Sequence, residues 1–299
     1  MFNLAVFLTA VLLSMVSVPG IAEFATKMKL MDHPIPNSTT KKQKQPVPLG
    51  GGLVVFFVSS VVLFSVYGLT TNETILFLCS SCLLLVGIVD DLNSLSPIIR
   101  ILVEMMVSIA FLFGTYVMVP FAHPLLQFPI MTLWLMGITN AVNMMDNVDG
   151  ATGGVCFIIL MMLALIGDGS MTLYSLTFGG ACLGFLWFNS PPAKIYLGDG
   201  GTLFLGFNIA GISLIQINSV ATNPSHLFIL PLMLSVPIID TTIATLLRIK
   251  NKKPIYVADR SNVTFLLQDR GWSNGSIVAL QYGVCMFSCI ASAVFIGSI

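Results

Sequence analysis

Charged residues are what this sequence has least of: they fill 9% of its 299 positions, where soluble domains carry roughly 25%. A chain of this length cannot cover a water-facing surface with so few, which excludes a soluble globular enzyme. The 13 Lys and Arg are balanced by 13 Asp and Glu, so the net positive charge of a nucleic-acid binder is missing too. Disorder is excluded from the other direction, by 56% hydrophobic residues and a mean hydropathy of +0.94. A cysteine framework is also lacking. Cys79, Cys82, Cys156, Cys182, Cys285 and Cys289 all lie in apolar runs, and the Cys79-x-x-Cys82 spacing has no further Cys or His nearby to complete a metal or redox site. His33, His123 and His226 are too scattered to form a metal set and read as solvating or capping groups.

What the chain does have is long apolar runs. They fall at about 3–24, 50–69, 74–89, 98–119, 124–142, 152–167, 171–188, 200–217, 226–247 and 275–298. A spanning helix needs about 20 apolar residues, so about ten spans and their short loops consume the whole sequence and leave no soluble second domain. The runs are continuous rather than alternating, which disfavours a β-barrel. The opening run lacks a positively charged start and is long for a secretory leader, so it reads as the first span. The expected architecture is an all-α integral membrane protein, one polytopic domain over residues 1–299.

The charges orient it. Lys27, Lys29, Lys41, Lys42 and Lys44 follow the first run, Arg100 opens the fourth, Lys194 lies between the seventh and eighth, and the rest, Arg248 to Arg270, lie between the ninth and tenth. With ten spans all of these fall on one side, which the positive-inside rule makes cytoplasmic, with both termini external. Most carboxylates gather at the same face: Asp90-Asp91, Asp146 and Asp149, Asp199, Asp240, Asp259 and Asp269. Ionisable groups at the ends of membrane spans are costly and mark function.

Adjacent carboxylates such as Asp90-Asp91 repel and are best tolerated when a divalent cation or a basic group neutralises them. Asn140–Gly150 crowds hard oxygen ligands beside a glycine, which suits Mg²⁺ and phosphate; an EF-hand fails on spacing, since Met145 and Cys156 would fall at ligand positions. Gly198-Asp199-Gly200-Gly201-Thr202 opens a span, where glycines would let a phosphate approach a helix N-terminus; no G-K-[ST] marks an ATP-type loop. Gly50-Gly51-Gly52 reads as a bend into the second span. Taken together these sites ask for a Mg²⁺–phosphate reaction at the inner membrane face, and phosphoryl transfer needs chiefly positioning and charge neutralisation.

The same motifs resemble the polyprenyl-phosphate N-acetylhexosamine-1-phosphate transferases, glycosyl transferase family 4. Pro46-Val47-Pro48 to Gly52, with Asp32, Pro34 and Lys41 before it, resembles the family's first cytoplasmic loop, and Asp90-Asp91 its aspartate pair. Asn140–Gly150 resembles N-x-x-N-x-x-D-x-x-D-G, and Pro192-Ala193 to Thr202 resembles P-A-x-x-x-x-G-D-x-G-[ST]. Asp240, Arg248 and Asp259-Arg260 resemble its last cytoplasmic loop. The resemblance implies transfer of a sugar-1-phosphate, N-acetylglucosamine-1-phosphate as the first candidate, from a UDP-sugar to undecaprenyl or another polyprenyl phosphate. UMP is released and a lipid-linked envelope glycan begun in the cytoplasmic (inner) membrane.

It implies Mg²⁺, or Mn²⁺ in its place, on Asp199, Asn143 and Asp91, with Asp90, Asp91 and Asp199 as catalytic carboxylates and Asp90 deprotonating or orienting the lipid phosphate. Lys41, Arg100 and Arg260 would neutralise phosphates and Asp149 contact the nucleotide; Asn140, Asp146 and Arg248 complete the binding set. A homodimer is compatible with it, and nucleic acid is not a partner. The sequence departs from the family where an H-x-H-H element is usual: those positions read Asn262, Val263, Thr264 and Phe265. In the first loop Thr40, Lys41 and Gln43 stand in for Arg, Lys and His. The lost histidines favour the branch that initiates O-antigen, enterobacterial common antigen or teichoic acid glycans over the muramoyl-pentapeptide branch. A transporter, a scaffold or a weakened member of the family is the alternative; a transporter would place its polar groups near the midplane, and a dead enzyme would have lost the carboxylates.

The charge asymmetry makes a topological prediction. Reporter fusions after residues 45 and 255 should read cytoplasmic and one at residue 299 external; a cytoplasmic C-terminus rejects the span count.

Overall fold

The computed structural model describes residues 1–34, 45–118, 123–220, 224–257 and 259–297. Its framework is a bundle of helices: α1 (Phe2–Lys27), α2 (Gly51–Val62, continued by a π-helical turn to Tyr67), α3 (Thr71–Asn93), α4 (Pro97–Thr115), α5 (Pro124–Met144) and α6 (Ala151–Ile166). It continues through α7 (Gly169–Asn189), α8 (Gly198–Val220), the short α9 (Ile229–Met233), α10 (Ser235–Lys250), α11 (Val263–Asp269) and α12 (Asn274–Gly297). One departure from the all-helical expectation is small: β1 (Met31–Asp32) and β2 (Val47–Pro48) pair antiparallel, Met31 opposite Pro48.

Among the described residues each apolar run read from the sequence is carried mainly by helix, but the helices differ in length. Seven helices, α1, α3, α4, α5, α7, α8 and α12, are long and apolar enough to cross a membrane, and the α9–α10 pair, bent by 72°, would make an eighth. The apolar stretches Gly51–Val66 and Ala151–Ile166 are shorter. At 1.5 Å per residue each is about 24 Å long, short of the roughly 30 Å hydrocarbon core.

Local signals set the helix ends. Thr70 and Glu73 form a reciprocal capping box at the start of α3, with Thr70 N donating to Glu73 Oε2 at 2.8 Å. His123 accepts from Leu125 N at 3.3 Å at the start of α5, the capping role expected of it. The helix faces show why amphipathicity is absent. α1 buries Val6, Ala10, Ser14 and Val18 against the bundle and exposes Leu4, Leu8, Leu12 and Val16 on its other side. Both faces are apolar because the medium outside is lipid rather than water.

α8 is the hub, almost wholly buried and packed on α2, α3, α5 and α6. Its polar side chains find partners inside the bundle: Asn208 accepts from the Tyr174 hydroxyl at 2.7 Å, and Ser213 accepts from Trp134 Nε1 at 3.1 Å. Phe204 packs among Phe56, Phe77 and Phe178, with ring centroids 5.5 to 6.0 Å from its own. The first turn of α8 lies backbone against backbone on two neighbours. A Cβ at Gly87 of α3 would stand 2.4 Å from Gly200 Cα, and one at Gly52 of α2 would stand 2.5 Å from Gly201 Cα. The Gly50–Gly52 run is therefore a packing seam at the start of α2 rather than only a bend. Gly51 N and Gly52 N also donate to the carbonyls of Tyr196 and Leu197 at 2.8 and 3.0 Å, fixing the segment that leads into α8.

Since the atoms facing Gly87 are backbone, they cannot swing aside. Gly87→Ala should lower stability by about 1–3 kcal/mol, the usual cost of overpacking, read as a lower thermal midpoint in detergent. Gly137→Ala in α5, where an added Cβ meets nothing within 4 Å, should leave the midpoint unchanged or raise it.

Candidate active site

Three helices meet at one end of the bundle: α3 and α5 finish there and α8 begins there. This brings Asp90 and Asp91, Asn140 and Asn143, and Asp199 and Thr202 together from distant parts of the chain, with Arg100 in the first turns of α4 beside them. Of these, Asp90, Asp91, Asn143 and Asp199 border a cleft of about 1400 Å³. Among the described residues its lining carries seven aspartates, Asp32, Asp90, Asp91, Asp146, Asp149, Asp199 and Asp259, against one lysine, Lys194.

Arg100 is the positive centre of the cluster. Its Nε donates to Glu104 Oε1 at 3.2 Å, Nη1 to Asp90 Oδ2 at 3.3 Å and Nη2 to Asn143 Oδ1 at 2.7 Å, and Nη1 is 3.8 Å from Asp199 Oδ2. The Arg100 side chain is 16% exposed and that of Glu104 1%. Charges so enclosed persist only when paired and hydrogen-bonded. All three nitrogens of the guanidinium that the resemblance assigns to phosphate thus bond the protein's own oxygens. Glu104 also accepts from Asn140 Nδ2, which places Asn140 behind the cluster rather than in the cleft.

Asn143 links the two sides. Its oxygen accepts from Arg100, and its Nδ2 donates to Asp199 Oδ1 and to Thr202 Oγ1, both at 2.7 Å. Asp199, its side chain 39% exposed, is more open than Asp90 at 13% and Glu104 at 1%. Asp91 is tied to the same turn. Its Oδ1 accepts from Asp199 N at 3.0 Å and its Oδ2 from Gly200 N at 3.3 Å. A carboxylate of the protein therefore occupies the place at the α8 N-terminus where the sequence suggested a phosphate. Of the glycines around Asp199, Gly200 and Gly201 serve helix packing against α3 and α2, and Gly198 takes a positive φ of 74° at the entry to α8.

The Asp146–Gly150 turn is fastened from two helices, α7 and α12, and from the segment that leads into α8. Asp149 Oδ2 accepts from Ala193 N at 3.0 Å, Gly150 N donates to Asn189 Oδ1 at 3.0 Å, and the Tyr282 hydroxyl of α12 donates to Gly150 O at 2.6 Å. Asp146 lines the cleft. The cleft's negative field registers on Tyr196, whose hydroxyl is pushed up to about 12 by burial and by Asp149, Asp32 and Asp146.

The last loop is built around its own pairs. Arg248, 4% exposed, donates to Asp259 Oδ1 at 3.1 Å and to Ile255 O at 2.8 Å. Burial pushes the Asp259 carboxyl up, but bonds from Ser261, Lys253 and Arg248 outweigh it and hold it down at about 2. Arg260 pairs with Asp269 and lies 4.6 Å over the Phe265 ring. Neither Arg248 nor Arg260 lines the cleft among the described residues. Asn262, where the family usually has its first histidine, donates to buried Asp240 Oδ2 at 2.6 Å and to Met144 O at 2.8 Å, joining this loop to the end of α5 that carries Asn143. Lys41 lies outside the described residues.

Sequence reasoning passed over Glu104 and Tyr282, and it met Thr202 only as the end of the Gly198–Thr202 run. Only Glu104 left a signal, its i,i+4 spacing from Arg100 in an otherwise uncharged span.

An acidic cleft at one end of an apolar helical bundle, bordered by amide- and arginine-held carboxylates, defines a polytopic membrane protein with its polar site at the end of the spans. Comparison with known proteins gives its kinship. The model of glycosyl transferase family 4 matches residues 73–217. A probable undecaprenyl-phosphate N-acetylglucosaminyl 1-phosphate transferase of Bacillus subtilis (strain 168) is 32% identical over 96% of this chain and 83% of its own length. Phospho-N-acetylmuramoyl-pentapeptide-transferases of Clostridium botulinum and Clostridium perfringens are 32% and 30% identical over 58% of the chain, covering 61% and 62% of theirs. The chain belongs to glycosyl transferase family 4, the polyprenyl-phosphate sugar-1-phosphate transferases, and stands nearer to the undecaprenyl-phosphate N-acetylglucosaminyl branch than to the pentapeptide branch.

Glu104 supplies a prediction. Glu104→Ala leaves Arg100 Nε without its partner and Asn140 with only the Met136 carbonyl, so stability should fall by about 1–3 kcal/mol, the usual cost of an unsatisfied buried polar group, and turnover should fall with it. Thermal unfolding in detergent reads the first effect. Glu23→Ala, whose partner Lys27 is a largely exposed surface pairing, should leave the midpoint unmoved.

Proposed function

We propose that this protein transfers a sugar-1-phosphate from a UDP-sugar, UDP-N-acetylglucosamine as the first candidate, to undecaprenyl or another polyprenyl phosphate and releases UMP. This starts a lipid-linked envelope glycan at the cytoplasmic face of the inner membrane. The observation that carries the reading is the Asp199 carboxylate: open to the cleft, oriented by Asn143, and set on a helix turn that Asp91 holds by two backbone N–H groups. The similarity to the Bacillus subtilis transferase supports the same reaction.

The donor set suits Mg²⁺. No group of three or more His, Cys, Asp or Glu side chains among the described residues forms a ready-made metal cage. Mg²⁺ is usually held in such enzymes by one or two carboxylates together with the substrate's phosphates and water. Asp199 would be its protein ligand; Asp91 and Asn143, their hydrogen bonds already committed, would hold Asp199 in place. When bound, the ion would neutralise the diphosphate and the charge that develops on it.

In the reaction an oxygen of the lipid phosphate forms a bond to the β-phosphorus of the UDP-sugar as the bond to UMP breaks. Asp90 would deprotonate or orient the lipid phosphate from the end of α3. Arg100 keeps Asp90 and Glu104 balanced so that these carboxylates hold position. Asp149, Asp146 and Tyr196 would border the nucleotide side of the cleft. We further propose ten membrane segments with both termini external: the short helices α2 and α6 and the bent α9–α10 pair complete the set, which puts every Lys and Arg on the cytoplasmic side.

The test is an assay of purified protein with polyprenyl phosphate and a panel of labelled UDP-N-acetyl sugars. UMP should appear with at least one donor, stop on addition of EDTA and return with Mg²⁺ or Mn²⁺. Asp199→Asn, which keeps size and removes charge, should cut turnover by at least about a hundredfold, within the range for loss of a group that stabilises transition-state charge, while the thermal midpoint stays put. Near-normal turnover in that variant removes Asp199 from the reaction.

A further inference from the structure

An anionic donor entering this cleft meets seven aspartates; Asp90, Asp199 and Asp259 have arginines beside them, but those arginines are held by the carboxylates rather than turned to the donor. Some permanent positive charge of the protein should therefore face the substrate, and the described arginines near the site are engaged elsewhere. Arg100 is bonded to Glu104, Asp90 and Asn143, Arg248 to Asp259 and Ile255, and Arg260 to Asp269 with its face on Phe265. Lys194 differs from them. It lines the cleft, is exposed, and forms no ion pair with any described residue.

Its backbone is nevertheless fixed on both sides. Lys194 N donates to Phe188 O at 2.8 Å, Ala193 N to Asp149 Oδ2 at 3.0 Å, and Tyr196 N to Pro48 O at 2.9 Å; Ile195 O accepts from Asn189 Nδ2 at 2.9 Å. The flexible ammonium thus starts from a rigid base between Asp149 and Tyr196, a pre-organised arrangement that lowers the cost of binding. The segment that carries it is open: Pro191, Pro192 and Lys194 are exposed, as befits a rim that a water-soluble ligand reaches before a lipid does.

We propose that Lys194 is a substrate-binding residue that takes a phosphoryl oxygen of the soluble nucleotide donor, and of the UMP left after transfer. This deepens the transferase reading above and rests on it. The same charge chemistry would also suit the phosphate of the lipid acceptor, so the experiment separates the two.

The full chain in detergent or nanodiscs is measured in two ways: steady-state KM for the UDP-sugar and for polyprenyl phosphate, and calorimetric Kd for UMP. Lys194→Ala should raise the donor KM and the UMP Kd about tenfold, the order expected for one charge-assisted contact, and leave the acceptor KM where it was. Lys194→Arg should stay within about threefold of wild type on both, which also covers the case in which the alanine variant fails to fold. Lys27→Ala, which does not border the cleft and pairs with Glu23, is the control. Donor KM and UMP affinity unchanged in Lys194→Ala overturn the proposal, as does a rise confined to the acceptor KM. A wild-type chain that neither binds UMP nor releases it from any UDP-sugar overturns the transferase reading and this one together, a failure distinguishable by the missing wild-type activity.

Discussion

Arg100 places one guanidinium among Asp90, Glu104, Asn143 and Asp199, at the point where three apolar helices end or begin. Carboxylates this close repel each other, and in a medium of low dielectric that repulsion is strong. A fixed cation bonded through all its nitrogens lets them coexist. Glu104, buried inside α4 one turn further on, holds the guanidinium from behind. The amide of Asn143 carries the order onward, accepting from Arg100 on one side and donating to Asp199 on the other. The cluster behaves as one unit, and removing any member leaves a buried partner unsatisfied.

The second constraint is the approach of α8 to α2 and α3. Glycines on all three helices allow backbone contact there, and the contact puts the first N–H groups of α8 within reach of Asp91. Asp91 therefore caps a helix that begins 107 positions further along the sequence, and Asp199 is presented from a turn that cannot drift. Catalysis by positioning and charge requires such rigidity, since a misplaced group loses most of its effect. The strand pair β1–β2 and the Tyr196 segment close the same corner through backbone bonds, which joins the first loop to the entry of α8.

The absent histidines find a physical account in Asn262. An imidazole changes charge near neutral pH, whereas this side chain is a constant neutral donor. It spans Asp240 and Met144 O and so ties the last loop to the end of α5. In this chain the position is structural. Arg248 and Arg260 of the same loop pair with Asp259 and Asp269, which braces the loop on itself.

Much of this molecule is written in composition and pattern. Scarcity of charge and long apolar runs dictate a helical membrane bundle, because every backbone polar group in lipid must be satisfied within its own segment. Motif spacing picked out Asp90, Asp91, Asn143, Asp149 and Asp199, since residue types with special chemistry stand out against an apolar background. Three-dimensional packing decided what each of them does. That Asp91 caps α8, that Gly200 and Gly201 serve packing rather than phosphate approach, that Arg100 is consumed by its own carboxylates, and that Glu104, Asn189 and Tyr282 brace the site all depend on partners tens to more than a hundred residues apart or on which face of a helix a side chain occupies. A linear pattern records neither, because hydrogen bonds and close contacts are set by distance in space, and distance in space is settled only when the helices pack.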